Sequence, residues 1–400
     1  MSEASGGQAP RVIGVDAARG LALIGMFVAH TAPMAATADA QAIIAIADER
    51  PRLLFALTAG LALGFISGGI RPLPAARGFA GGPERRRLRR QIAIRAVILI
   101  ALGLLITEYL RPLVFVILDV YGVAFLVLIP LLFLPRWVAL GIGIAGLAVA
   151  PGLAVLLARE DWVVQARGTW LELPAAWFVS GAYPVIEWVP VMLIGVAIAR
   201  FGATRPRVVG TTAAVGAVAG IAFLPIGVEL LRLGTRQFTD PALVPEAVRT
   251  LALGESLQAL GNVGIGAVVV AVLVALTALA GARTTRITTA VLSPVTAMGA
   301  MPLTIYTAQL IVLAGSKRVE NGIETDDSWP LLLALVVGSM VFAWCWRRWI
   351  GRGPLEELLR IASGRRRDGR RGETPPTDPP STDPPTADPP TDRHPMGTQP

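Results

Sequence analysis

The feature that most constrains this chain is a series of apolar stretches, each near the length of about 20 residues that a bilayer-spanning helix needs. They lie near residues 12–33, 53–70, 92–109, 115–135, 138–158, 179–199, 208–231, 257–281, 291–314 and 329–349. Only 16% of the residues are charged, whereas a soluble domain has about a quarter. The sequence therefore predicts an all-α fold, a polytopic integral membrane helix bundle with about ten transmembrane helices.

Arginine is distributed unevenly around these stretches. The loop 71–90 contains arginine at positions 71, 77, 85, 86, 87, 89 and 90. Because loops rich in arginine mark the cytoplasmic side, alternation from this loop predicts two cytoplasmic termini in a multi-pass protein of the plasma or inner membrane. The formal net charge of +8 is then explained by topology, and nucleic acid is not expected as a partner.

The chain divides into four regions by composition. Residues 1–11 form a cytoplasmic N-terminal segment, 12–350 the helical membrane domain, 351–364 an amphipathic interfacial helix and 365–400 a tail. The tail is basic at first and then repeats Asp-Pro-Pro at 378, 383 and 388, a composition that predicts disorder. Between the first two apolar stretches, residues 31–52 are too short and polar to span, and they predict a short interfacial or re-entrant helix.

Three ionisable side chains, Asp16, Arg19 and His30, share the first apolar stretch. At about 100° per residue, Arg19 and His30 lie on one helix face, about 16 Å apart along the axis. Charged groups inside a span are usually functional. His30 is the only histidine before the tail, and its imidazole suits a general base. Arg19 suits a phosphate or a thioester oxyanion, with a structural ion pair to Asp16 as the alternative.

Other polar residues in or beside the apolar stretches are candidates for substrate or acyl-CoA binding: Arg50, Arg95, Tyr121, Tyr306 and Gln309. For Arg50 and Arg95 the alternative is snorkelling to lipid headgroups. For Tyr306 and Gln309, on one apolar helix, it is packing across the bundle.

Several residues are assigned to the membrane interface or excluded from chemistry. Snorkelling is favoured for Arg52, and an aromatic belt for Tyr183 and Trp188. The single Cys345 leaves no thiolate cluster for a metal. Since the sequence also has no P-loop, GxSxG or HExxH motif, we expect no metal site and no permanently bound cofactor.

The pattern Val15-Asp16-x-x-Arg19-Gly20-x-Ala22…His30 resembles the first-helix motif of the transmembrane acyltransferase superfamily. The matching stretches that follow are Arg50-x-x-x-Leu54-Phe55-Ala56-x-x-Ala59-Gly60, Tyr121-Gly122-Val123, Tyr183-Pro184-x-x-x-Trp188, Leu303-Thr304-x-Tyr306-x-x-Gln309 and Arg352-Gly-Pro-Leu-Glu356. In this order they are most similar to YeiB-like and heparan-α-glucosaminide N-acetyltransferase-like membrane proteins of actinobacterial type, over most of residues 11–360.

This resemblance implies a ten- or eleven-helix bundle that transfers an acyl group, most often acetyl, from cytosolic acyl-CoA. The acceptor would be a hydroxyl or amine of an extracytoplasmic glycan or glycolipid, and membrane lipids would surround the protein. The resemblance also implies that the reactive histidine of the heparan acetyltransferase lies in the loop after the first helix, where residues 31–52 contain none. His30 corresponds instead to the helix-end histidine of the acyltransferase-three enzymes.

Two other functions stay open on the residues alone. A small-solute transporter or channel could use Asp16, Arg19 and His30 as a relay, although the sequence indicates neither an internal repeat nor paired broken helices. A scaffold acting through the Pro-rich tail would lose its function on deletion of residues 373–400. The sequence does not indicate an oligomeric state.

Overall fold

The computed structural model describes residues 12–73 and 81–364 of the chain. Its helices in this part are α1 (Ile13–Thr31), α2 (Ala38–Ile44), α3 (Ile46–Ile66), α4 (Pro83–Leu105), α5 (Leu118–Leu131), α6 (Arg136–Leu157), α7 (Asp161–Gln165), α8 (Glu172–Ala175), α9 (Val185–Phe201), α10 (Pro206–Gln237), α11 (Val244–Val274), α12 (Ala282–Val291), α13 (Ser293–Ala300), α14 (Pro302–Gly315), α15 (Trp329–Trp349) and α16 (Pro354–Ala362). Short π-helical turns, Ile106–Leu110, Ala176–Ser180 and Ala275–Leu279, extend α4, α8 and α11. One small antiparallel hairpin, β1 (Arg318–Glu320) and β2 (Ile323–Thr325), pairs Arg318 with Thr325.

The fold is a polytopic helical membrane bundle, as predicted, and an α-helix occupies each of the ten apolar stretches. Six of the described helices are long and apolar enough to cross a membrane, and two bent helix pairs raise the number to eight. The predicted count of ten is not confirmed for two physical reasons. Helix α5 has only 14 residues, and the first two turns of α3 carry the charged side chains of residues 48, 49, 50 and 52.

Two of the predicted spans are broken helices rather than continuous ones. Helices α13 and α14 meet at 88°, because Met301 precedes Pro302 and takes a non-helical backbone conformation (φ −133°, ψ 55°). The π-helical extension of α8 meets α9 at 49° across residues 181–184. The sequence indicates no paired broken helices, whereas each of these bent pairs is a broken span or a re-entrant loop, and carriers also use broken helices.

The core lies where α1, α3 and α9 pack together, and almost every residue of α9 is buried. Helix α10 is different, since Val215, Val218 and Ile221 on it are exposed. Exposed apolar side chains of this kind are expected on a helix surrounded by lipid. Helix α10, which packs mainly on α11, therefore presents an apolar surface suited to lipid.

The last described helix is fixed to the bundle by a carboxylate. Glu356 of α16 accepts hydrogen bonds from the backbone N–H groups of Leu303 (2.7 Å) and Thr304 (3.1 Å) and from the Thr304 hydroxyl. These N–H groups lie in the first turn of α14, where a helix has no internal acceptor for them. The predicted disordered tail and N-terminal segment lie outside the described residues.

Candidate active site

A cavity of about 210 Å³ lies beside the last turn of α1. Its polar lining comes from His30 of α1, Asp48 and Arg52 of α3, Tyr183 before α9, and Tyr306 of α14. The segment 31–52, for which a short interfacial or re-entrant helix is predicted, contains α2, which has no buried residue, and the first turns of α3, whose residues Ala47, Asp48, Pro51 and Arg52 line the cavity. Four separate segments of the chain therefore supply the polar groups of one cavity.

His30 is held by a side chain from the far end of the sequence. Its Nδ1 atom lies 2.9 Å from Nε2 of Gln309 on α14, and Gln309 is fully buried at 1% exposure. The Oε1 atom of the same amide has no hydrogen-bond partner in the described part of the chain. With Nδ1 occupied, Nε2 of the imidazole is the ring atom left for a molecule in the cavity.

Arg52 is buried in the bundle rather than directed to the membrane surface. Its Nε donates to Glu49 Oε2 at 2.8 Å, and its Nη1 lies 3.6 Å from Oε2 of the buried Glu187 on α9. The guanidinium also lies over the ring of Tyr183, 5.6 Å from its centroid. The prediction that Arg52 snorkels is therefore wrong, because two carboxylates and a ring hold it inside.

The prediction that Trp188 belongs to an aromatic belt at the membrane interface is also wrong. Trp188 is completely buried, and its ring packs edge-on against Tyr183 and Tyr121, with centroids 5.9 Å and 5.4 Å away. Tyr183 itself lines the cavity. The Glu49–Arg52 spacing of three residues was the one available sequence signal for this cluster.

Arg19 and Asp16 do not line the cavity. The Arg19 guanidinium donates to the carbonyl oxygens of Thr58 on α3 (2.9 Å) and Gly299 on α13 (3.2 Å), and it lies 3.5 Å from Asp16 Oδ1. These contacts join three helices at about the middle of α1. The structure thus places the two ends of the predicted Arg19–His30 face in different surroundings.

The remaining predicted residues are divided between the cavity and its surroundings. Tyr306 lines the cavity, and its hydroxyl accepts a hydrogen bond from the Ile117 N–H at 3.3 Å. Tyr121 is buried on α5 and donates to the Phe55 carbonyl at 3.2 Å. Arg50 and Arg95 are half-buried on α3 and α4 and are not among the residues that line the cavity.

The described residues contain no group of three or more His, Cys, Asp or Glu side chains that could hold a metal ion. The cavity offers one imidazole, two phenols, the Asp48 carboxylate and the Arg52 guanidinium, which is paired with Glu49 and Glu187. Such a set can transfer protons and donate hydrogen bonds to a neutral oxygen or nitrogen.

Comparison with known families divides the chain near the α10–α11 connection. Residues 11–227 match the family described as heparan-alpha-glucosaminide N-acetyltransferase, catalytic. Residues 242–366 match a family described as protein of unknown function, DUF418. No curated protein matches the chain. The resemblance predicted from the motifs is confirmed at the family level, and the first match contains His30 while the second contains Gln309.

Proposed function

We propose, since this chain belongs to the heparan-α-glucosaminide N-acetyltransferase catalytic family, that it moves an acetyl or other acyl group from cytosolic acyl-CoA to an extracytoplasmic glycan or glycolipid. Family membership indicates a membrane acetyltransferase that acts on glycans. The acceptor atom would be a hydroxyl oxygen or an amine nitrogen. The observation that carries the proposal is the cavity with His30 Nε2 unoccupied by any described side chain.

In this reaction His30 is the general base. The acceptor oxygen or nitrogen attacks the thioester carbon while His30 Nε2 takes its proton. The new C–O or C–N bond forms, the C–S bond breaks, and the CoA sulfur leaves with the proton that His30 then returns. A general base of this kind contributes about 10²–10⁴-fold to a rate.

Arg52 and the two tyrosines suit the acceptor side of the site. The Tyr183 and Tyr306 hydroxyls border the cavity and can hydrogen-bond a sugar, since a phenol donates and accepts. Arg52 is neutralised by Glu49 and Glu187, so a neutral acceptor fits better than a free anion. Arg19, Asp16, Arg95 and Tyr121 are proposed for the donor side. Arg50, which lies between the cavity-lining residues Asp48 and Arg52 on α3, is proposed for the acceptor side.

The arginine-rich loop 71–90 supports a cytoplasmic entry for acyl-CoA, with both termini on that side of the plasma membrane. Acyl-CoA would act as a co-substrate and leave as CoA. The acceptor would then approach the His30 end of α1, about 16 Å from Arg19 along the helix. That distance is shorter than an extended pantetheine arm.

Replacing His30 tests the proposal. We expect purified His30→Gln protein in liposomes to transfer radiolabelled acetyl from acetyl-CoA to glucosamine at least about 100-fold more slowly than the unmodified chain. His394→Gln, in the tail, is the matched control and should transfer normally. Equal rates for His30→Gln and the unmodified chain would refute the assignment.

A small-solute carrier is the second candidate, because the two broken helices border the same cavity: Tyr183 lies in one break and Tyr306 follows the other. A carrier would move a solute without covalent change. Liposomes containing the protein should therefore release CoA thiol from acetyl-CoA if it is an acyltransferase. They should release none if it is only a carrier.

A further inference from the structure

The amide of Gln309 is the only described group within hydrogen-bonding distance of the His30 ring, and it can present either of two atoms to Nδ1. In the structure Nε2 is 2.9 Å from Nδ1, and the acceptor atom Oε1 is buried with no hydrogen-bond partner among the described residues. Rotation of the amide by 180° exchanges the two atoms within the same volume. Both arrangements satisfy one of the two amide ends and leave the other end unsatisfied.

Each amide orientation selects a different form of the imidazole. With the amide N–H donating to Nδ1, the neutral ring must carry its proton on Nε2, so the cavity meets a hydrogen-bond donor. With Oε1 toward the ring, Nδ1 carries the proton and Nε2 offers a lone pair to the cavity. The protonated ring has an N–H at both positions, and only the second orientation accepts it.

We propose that Gln309 is a positioning residue that determines which nitrogen of His30 holds the proton, its carbonyl oxygen accepting from Nδ1–H while Nε2 acts as the base. This inference rests on the proposed acyl transfer. The acceptor orientation is the reactive one: it keeps the proton of the neutral ring on Nδ1 and leaves Nε2 with a lone pair, and it still accepts from Nδ1–H after Nε2 has taken the acceptor's proton. Gln309 thus acts through His30 and not by binding acyl-CoA.

The position of Gln309 is fixed independently of His30. Its helix, α14, is held at its first turn by Glu356, and one turn before Gln309 the Tyr306 hydroxyl contacts the Ile117 N–H. The backbone of the chain before α15 also reaches α1, where the Ser328 N–H donates to the Thr31 carbonyl at 2.8 Å. Contacts of α14 and of the chain before α15 therefore hold the Gln309 amide beside the His30 ring.

Other titratable and charged groups face this end of α1 from each neighbouring segment. Asp48 and Arg52 of α3, Tyr183 before α9 and Tyr306 of α14 line the cavity beside His30, and Glu49 and Glu187 pair with Arg52. Asp326 and Asp327 precede Ser328, whose N–H donates to the Thr31 carbonyl. A variant changed only at position 309 keeps all of these groups. A change in the pH dependence of His30 then reports on the amide.

The chain offers a direct probe, because it contains only two histidines. In a His394→Asn background, reaction with diethyl pyrocarbonate, followed at 240 nm, measures the unprotonated fraction of His30 alone at each pH. For Gln309→Glu we expect the pH of half-maximal reaction to rise by about one to three units, since a carboxylate accepts from Nδ1–H and favours the charged ring. Gln165→Glu on the exposed α7 adds the same charge and should leave that pH unchanged.

Kinetics then separate positioning from binding. We expect Gln309→Leu to lower kcat for acetyl transfer at least 10-fold with an unchanged KM for acetyl-CoA. Gln309→Glu should regain kcat above its shifted pH, because its carboxylate oxygen still accepts from Nδ1–H. Gln309→Asn is uncharged and one methylene shorter, so its amide no longer reaches Nδ1 and the variant should behave like Gln309→Leu. It provides the second test if Gln309→Glu does not fold.

Two results would overturn the inference. The first is a raised KM for acetyl-CoA with unchanged kcat in Gln309→Leu, which would make Gln309 a donor-binding residue. The second is an unshifted pH of half-maximal reaction in folded Gln309→Glu. If the unmodified chain transfers no acetyl group, the proposed function fails. The carbethoxylation experiment still decides whether Gln309 controls the His30 proton.

Discussion

Arg19 and His30 belong to one helix, but their side chains contact different partners. The Arg19 guanidinium joins α1 to carbonyl oxygens of α3 and α13 and to Asp16, with 13% of its side chain exposed. His30 instead touches a single neutral amide and borders a cavity. At the scale of the residue, the contacts of Arg19 favour a role in holding helices together, and those of His30 leave an atom available for chemistry.

Arg19→Met is therefore expected to destabilise the bundle. It removes one partner of a mostly buried charge pair, a change that is strongly destabilising, so we expect the Tm in detergent micelles to fall by at least about 5 °C. Arg232→Met is the matched control, because Arg232 has the same i, i+3 pairing with Glu229 but is 67% exposed, and exposed pairs contribute little. A raised KM for acetyl-CoA with an unchanged Tm would instead assign Arg19 to the donor.

Only part of this site could be predicted from the sequence. The sequence indicates His30, Arg19 and Asp16 because they interrupt one apolar stretch within about four helical turns of each other. The pairing of Gln309 with His30 joins positions 279 residues apart, and no local pattern encodes such a contact. Arg52 was misassigned for the same reason, since the buried Glu187 that faces it lies on another helix.

At the scale of the element, α1 and α13 approach each other unusually closely. A Cβ atom added to Gly299 would lie 1.8 Å from the Asp16 carbonyl oxygen, and one added to Gly20 would lie 2.0 Å from the Val295 carbonyl oxygen. Small residues at such crossings let helix backbones meet in membranes. This approach is also what brings the Gly299 carbonyl within reach of Arg19.

Gly299→Ala should force the two helices apart. Backbone atoms cannot give way as a flexible side chain can, so we expect a loss of about 1–3 kcal/mol in unfolding free energy, measured as a lower Tm. Gly338→Ala on α15, where a Cβ meets nothing within 4 Å, should be neutral or stabilising. If both variants melt alike, the close approach of α1 and α13 has no energetic consequence.

The helices themselves were easier to predict than their breaks. An apolar run of about 20 residues is sufficient to locate a helix in lipid, where every backbone group must be satisfied within the segment. Hydropathy carries no signal for the 88° bend before α14, because apolar residues continue through it. Pro302 was the available signal, and its effect depends on the non-helical conformation of Met301.

At the scale of the whole molecule, the cavity needs both family-matched segments. His30 and Arg52 come from residues 11–227, and Tyr306 and Gln309 from residues 242–366. The second segment ends with α16, whose Glu356 satisfies the first turn of the helix that carries Tyr306 and Gln309. The C-terminal helix is thus coupled to the site through α14, without touching the cavity lining.

Two truncations test this coupling. A chain ending at residue 352 lacks α16, so the N–H groups of Leu303 and Thr304 lose their acceptor; a lost helix cap costs about 0.5–2 kcal/mol, and we expect a lower Tm and a lower rate of acetyl transfer. A chain ending at residue 364 keeps α16 and should match the full chain in both Tm and transfer rate.

Substitution of Glu356 tests the same coupling. Glu356→Ala should resemble the chain ending at residue 352, whereas Glu356→Gln, which retains an acceptor oxygen, should recover most of the lost Tm and transfer rate. Loss of transfer in a folded chain ending at 364 would contradict this account, because it would show that the reaction needs the tail.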